Sequence, residues 1–166
     1  MHIRNALKSD LLAIVEIYNS TIASRMVTAD LEPISIESRE AWFEAHGPDT
    51  HPLWVMQDGD QIAGWLSYSA FYGRPAYRHT AEVSIYLHPE YRGQGLGRRF
   101  LQEAIDRAPE FQFHTLLGFI FSHNQPSLKL FQSFGFSTYG ELPNVAVLDG
   151  QERSLTILGK RIGEDL

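Results

Sequence analysis

Val83, Ile85 and Leu87 alternate with Ser84 and Tyr86, the period of a half-buried strand, and Pro89 then withholds the N–H that a ladder would need. Past a glycine-rich turn, Leu96, Phe100, Leu101, Ala104, Ile105 and Ala108 recur at helical spacing, and Pro109 closes the run. The same two periods sort the rest of the chain. Residues 2–6 predict a short edge strand, and Ser9 and Asp10 are placed to cap a helix carrying Leu11, Leu12, Ile14, Val15, Ile17, Tyr18 and Ile22. Residues 20–33 lose the periodicity and read as a loop. Ser35 can cap a second helix that runs through Trp42 and Phe43 to about His46, where Gly47-Pro48-Asp49 stops it.

Residues 53–56 and 62–68 are strands joined across Asp58-Gly59-Asp60, a hairpin signal, and residues 71–79 form a loop. Residues 115–121 form an apolar strand. Asn124-Gln125-Pro126 opens a helix that holds Leu128, Leu130, Phe131 and Phe134 and that Gly135 closes. Residues 136–142 and 154–160 predict the last strands, with a loop containing Asp149-Gly150 between them. The order β-α-α-β-β-β-α-β-α-β-β combines hairpins with helical crossovers. It predicts an α/β fold: a mixed, mostly antiparallel twisted sheet of about seven strands flanked by about four helices.

The chain of 166 residues has the length of a single domain, 1–166, with no internal repeat or linker. Its 43% hydrophobic and 20% charged content is that of a soluble globular protein, and no signal-peptide pattern opens it, so the cytoplasm is the expected location. The absence of cysteine excludes a disulfide framework, a thiolate nucleophile and a cysteine zinc site. A net charge of −6 argues against nucleic acid as the main partner. The seven histidines include no i, i+4 pair on a helix, and no metal is expected.

The turn between the organising strand and helix carries the chemistry. Gly93, Gly95 and Gly97 let successive backbone N–H groups share one concavity at the positive end of a helix, which suits an anion such as a diphosphate. A turn that does nothing beyond turning is the plainer reading. It is neither a Walker loop, lacking Gly-Lys-Ser/Thr, nor a Rossmann fingerprint, whose spacing differs. Arg92-x-x-Gly95-x-Gly97, between a strand and a helix, resembles the pyrophosphate motif of the GNAT family, the GCN5-related N-acetyltransferases. Asn124-x-x-Ser127-x-x-x-Phe131-x-x-x-Gly135-Phe136 is similar to a second signature of that family. Within it, Glu32-Pro33, Arg39-x-x-Trp42-Phe43, the stretch from Arg74-Pro75-Ala76-Tyr77-Arg78 through Thr80, Glu82, Ser84 and Tyr86, and Gly140-x-Leu142-Pro143 resemble phosphinothricin N-acetyltransferases and relatives acting on methionine sulfoximine and methionine sulfone. The resemblance runs over residues 3–162.

The resemblance implies acetyl-CoA as co-substrate. Backbone groups of Ile85, Tyr86 and Leu87 would bond the pantetheine arm like an added strand. Arg92, Gly93, Gln94, Gly95, Leu96, Gly97 and Arg98 would hold the pyrophosphate. Asn124 and Ser127 would line the coenzyme at its thioester end, and Ser133 would touch it more peripherally. Two departures stand out. Phe131 occupies a position where many members carry a tyrosine, proposed to protonate the departing thiolate, and phenylalanine cannot. Gly150-Gln151-Glu152-Arg153-Ser154 replaces a family stretch with tryptophan and aspartate, which leaves the acceptor open.

An ammonium ion cannot attack a thioester, so an amine acetyltransferase needs a base, and Glu82 is the one the resemblance supplies. A solvated carboxylate paired with Arg78 is the alternative. A backbone N–H at Tyr86 or Leu87 would meet the developing oxyanion. Arg74, Pro75, Ala76 and Tyr77 would bind the acceptor, since an arginine fork matches a carboxylate, or they merely shape a surface loop. Trp42, Phe43, Trp54 and Trp65 read as core or pocket wall. Selectivity is assigned to loops at residues 26–33, 71–77 and 142–151. The leading function is transfer of acetyl from acetyl-CoA to a small amino acid or analogue. Acetylation of another amine or a protein N-terminus is one rival, and an acyl-CoA-binding module without turnover is the other. Relatives commonly dimerise, and an exposed edge strand near the C-terminus would permit a homodimer.

Overall fold

In the computed structural model, which describes residues 1–163, the elements follow the predicted order. They are β1 (His2–Asn5), α1 (Leu11–Ser20), α2 (Glu40–Glu44), β2 (Leu53–Asp58), β3 (Gln61–Ala70), β4 (Thr80–Leu87), α3 (Leu96–Arg107), β5 (Thr115–Phe121), α4 (Gln125–Ser133), β6 (Ser137–Leu148) and β7 (Gln151–Arg161). The strands form one seven-stranded sheet in the order β1-β2-β3-β4-β5-β7-β6. Every pairing is antiparallel except β4 with β5.

The period-2 pattern of β3 and β4 assigns the two faces. Leu66 and Tyr68 pair with Ile85 and Val83 on the face covered by α3 and α4, where Phe100, Leu101, Ala104, Leu128 and Phe131 complete the main core. The Tyr68 hydroxyl finds its partner inside that core by donating to the Ala104 carbonyl at 2.6 Å. On the other face Trp65 pairs with Tyr86, their rings stacked at 4.5 Å, and packs against Ile14, Ile17 and Tyr18 of α1. The Trp65 indole donates to the Ile14 carbonyl at 3.0 Å, which fixes α1 on the sheet.

Four local expectations need correction. Asp10 does not cap α1: its buried carboxylate accepts from the Leu7 N–H at 2.7 Å and pairs with Arg4 at 2.8 Å, so the helix starts at Leu11. That helix stops at Ser20, and Ile22 lies in a separate 3-10 turn. The second helix is short, because Ser35 Oγ caps only a 3-10 turn through Ser38 N, at 3.2 Å, before α2 spans Glu40–Glu44. The loop placed over residues 142–151 is a hairpin instead. β6 and β7 continue to Leu148 and Gln151, and Asp149 and Gly150 turn with φ of 52° and 78°, the left-handed pair that fits a two-residue hairpin. Pro143 lies within a register shift between Leu142 and Ala146, where no ladder N–H is required.

Candidate active site

β4 and β5 begin as a parallel pair and then part. Thr80, Ala81 and Glu82 face Thr115, Leu116 and Leu117, and from Val83 onward the β5 side of β4 has no strand partner among the described residues. β5 meanwhile stays paired to β7 as far as Phe121. The result is a wedge-shaped cleft of about 150 Å³, lined by residues 83–87, by Phe119, Ile120 and Phe121 of β5, and by Asn124, Ser127, Leu130 and Phe131 of α4. Met26 and Val27, from the loop between α1 and α2, also line it, as does Gly97. An unpaired strand edge inside a cleft offers the backbone groups an extended ligand can bond.

The glycine-rich turn opens at the Leu87 end of this edge. Gly93 and Gly95 have φ of 74° and 79°, and a Cβ at either would meet nothing within 4 Å, so the requirement for glycine is conformational and the concavity is open. Gly95 is the N-cap of α3, and the first α-helical bond there runs from Arg99 N to Gly95 O, leaving the N–H groups of Leu96, Gly97 and Arg98 free for an anion. Gly97 acts differently: a Cβ there would lie 3.2 Å from Leu130 Cδ2, so its glycine lets α3 approach α4. Arg92 reaches back to the carbonyl of Leu87 and to Ser20 Oγ, both at 3.4 Å, and Gln94 donates to the Glu90 carbonyl at 3.1 Å. Arg98 donates to Ser133 Oγ at 3.1 Å and lies over the Phe134 ring, which puts Ser133 at the turn and away from the cleft apex.

Glu82 sits at the apex, on the face of Ser84 and Tyr86. Among the described residues it has no hydrogen bond or ion pair, so pairing with Arg78 is not found, and burial alone pushes its carboxyl above the usual range. Tyr86, stacked on Trp65 and 5.2 Å from the Tyr18 ring, has its hydroxyl pushed up, chiefly by burial and then by Tyr18 and Glu82. Tyr18 in turn bonds Thr28 and Asp30, which folds the α1–α2 loop over this end of the sheet.

Arg74, Pro75, Ala76 and Tyr77 lie in the β3–β4 loop, where residues 75–77 make a 3-10 turn closed by Tyr77 N to Arg74 O at 2.9 Å. Tyr77 meets Phe71 edge-on at 5.3 Å, and Phe71 stacks near Phe119 at 6.4 Å, so an aromatic path joins this loop to the cleft. Phe131 is 5% exposed and its ring lies against Gly118, where a Cβ would come within 2.8 Å. Trp54 and Trp65 are core, as read from the sequence. Sequence reasoning missed Val83, Ser84, Phe119, Phe121 and Leu130 as lining, and Tyr18 and His123 as supports. Apolar strand residues carry no signal of which edge will come unpaired.

Comparisons with known proteins agree with this geometry. The model of the acetyltransferase (GNAT) family matches residues 14–136. Bacillus subtilis YwnH, described as a candidate phosphinothricin acetyltransferase, is 50% identical over 98% of this chain and 99% of its own length. An L-methionine sulfoximine/L-methionine sulfone acetyltransferase of Salmonella typhimurium is 32% identical over 99% of this chain and 96% of its own. The structure of yncA from Salmonella typhimurium with its cofactor acetyl-CoA superposes with a TM-score of 0.93 at 32% identity, covering 100% of this chain and 96% of that one.

Proposed function

Because the chain belongs to the acetyltransferase (GNAT) family, we propose that it transfers the acetyl group of acetyl-CoA to the amino group of a small amino acid or analogue of the phosphinothricin, methionine sulfoximine or methionine sulfone type. The observation that carries this reading is the parting of β4 from β5 directly after Glu82, which joins a carboxylate, an unpaired strand edge and an open anion turn in one line. The residues present fit the coenzyme. The backbone of Ile85, Tyr86 and Leu87 would hold the pantetheine arm, and the turn from Arg92 through Arg98 would hold the pyrophosphate. Bound there, acetyl-CoA supplies an activated acyl group, whose transfer forms an amide and releases free coenzyme A.

The chain's own residues do the rest. Glu82, with no cation among the described residues to neutralise it, is a stronger base than an exposed carboxylate and accepts the proton of an acceptor ammonium directly or through water. The N–H of Leu87 meets the oxygen on which charge develops, since the register that bonds His88 N to Ala63 O turns the Tyr86 N–H toward β3. Arg74 and Tyr77 receive the acceptor's carboxylate and side chain. Phe131 provides no proton, and none is obligatory, since a thiol with a pKa of about 8.5 leaves as thiolate near neutrality. The test is release of free coenzyme A with a panel of amino acids, methionine sulfone, methionine sulfoximine, phosphinothricin, polyamines and short peptides. Turnover confined to the amino acids and analogues supports the reading; turnover with peptides alone would replace it.

We also propose a homodimer formed through β6. It is one of the two outer strands of the sheet, and Tyr139, Leu142, Val145 and Val147 on it are 42% exposed or more, a row of large apolar side chains beside an edge unpaired among the described residues.

A further inference from the structure

We infer that Asn124 is a positioning residue, tying the coenzyme wall of the cleft to the loop that covers the acceptor end. The kinetic arm of this inference rests on the acetyl-transfer reading above. Asn124 is 7% exposed and stands at the N-terminus of α4. Its side chain is engaged at both polar ends. Oδ1 accepts from the Ser127 N–H at 3.3 Å, capping the helix, and Nδ2 donates to the Met26 carbonyl at 3.1 Å.

The preceding residue repeats the device. His123 Nε2 donates to the Arg25 carbonyl at 2.9 Å while its ring stacks near Phe121 at 5.5 Å. Two successive side chains thus hold two successive carbonyls of a loop that lies 98 residues earlier in the chain. Arg25 itself is left-handed, at φ 56°, and its guanidinium donates to Asp149 and to the Leu31 carbonyl, each at 2.9 Å. The next two loop residues, Met26 and Val27, line the cleft with Asn124. The wall that flanks the coenzyme therefore sets where the loop lies, and small displacements of positioning groups are costly to a transfer reaction.

The test uses Asn124→Asp, in which an oxygen still accepts from Ser127 N but nothing donates to Met26 O. The expected result is a rise of about five- to tenfold in KM for the acceptor amine, the worth of one buried hydrogen bond, larger than the rise in KM for acetyl-CoA. Amide hydrogen exchange of residues 22–30 should quicken in the same variant. His123→Phe, which keeps the stacking and loses the donor, should reproduce both effects more weakly and serves if Asn124→Asp does not fold. A rise in KM for acetyl-CoA with the acceptor KM unchanged would overturn the inference in favour of direct coenzyme bonding, as would unaltered exchange of residues 22–30. Exchange is read without turnover, so a wild-type protein inactive with every amine would defeat the acetyl-transfer reading and leave this arm to decide alone.

Discussion

Glu82 faces Leu117 across the last rung of the parallel β4–β5 pair, and one residue further the two strands have separated. A half-buried carboxyl with no cation beside it among the described residues ionises reluctantly, and the direction of its shift follows from that desolvation. As the base it must be ionised, so kcat/KM should fall as pH drops through a value above the ordinary range of a glutamate. A pH–rate profile of kcat/KM checks this.

The same shift has a consequence for stability. A carboxyl raised in the folded state favours folding fully only below its unfolded value, and that contribution is lost as pH rises through the folded one. Glu82→Gln, which cannot ionise, should therefore melt higher than wild type at neutral pH. The difference should disappear under acid conditions, as thermal melts at several pH values would record.

Asp10 shifts the opposite way. Burial pushes its carboxyl up, but the Arg4 guanidinium and the Leu7 N–H outweigh it and hold the group below the usual range. Its contribution is present above the unfolded aspartate value and lost as pH falls through the folded one. Asp10→Asn should cost about 1–3 kcal/mol in denaturant unfolding near neutral pH, since it strands Arg4 and weakens the turn before α1.

Gly118 gives the Phe131 ring its place at the floor of the cleft. Gly118→Ala should force that ring to move, destabilising the protein by about 1–3 kcal/mol and raising the KM for acetyl-CoA. Gly95→Ala should raise the same KM without a collision, because the penalty there is the left-handed backbone at φ 79°. Comparing the melting temperatures and KM values of the two variants separates the two causes.

If β6 pairs with a second copy, Val145→Lys with Val147→Lys should shift sedimentation velocity from dimer to monomer while leaving the fold intact. Both side chains are more than half exposed, so the monomer loses no core by the change.

Much of this was legible in the sequence because its signals are local. The alternation of Val83 to Leu87, the helical run after Leu96 and the N-cap at Asn124 each depend on residues close in the chain, and each element formed where it was read. The β6–β7 hairpin was underestimated because Pro143 and two register shifts interrupt the alternation that marks a strand. The cleft was only half visible. Its glycine turn announces itself, but the wedge arises because β5 follows β7 while β4 follows β3, a choice made by pairing between distant segments. The loop at residues 25–28 showed only a loss of periodicity, and its anchoring was not legible because the groups that hold it, Tyr18, His123 and Asn124, are far from it in sequence or on another element.

The most direct test of the central claim compares wild type with Glu82→Gln for acetyl-CoA affinity and for single-turnover acetylation of the best acceptor. The base assignment predicts unchanged affinity and a transfer rate lowered by about 10²–10⁴-fold. A Glu82→Gln protein that binds acetyl-CoA normally and transfers acetyl at the wild-type rate would contradict it.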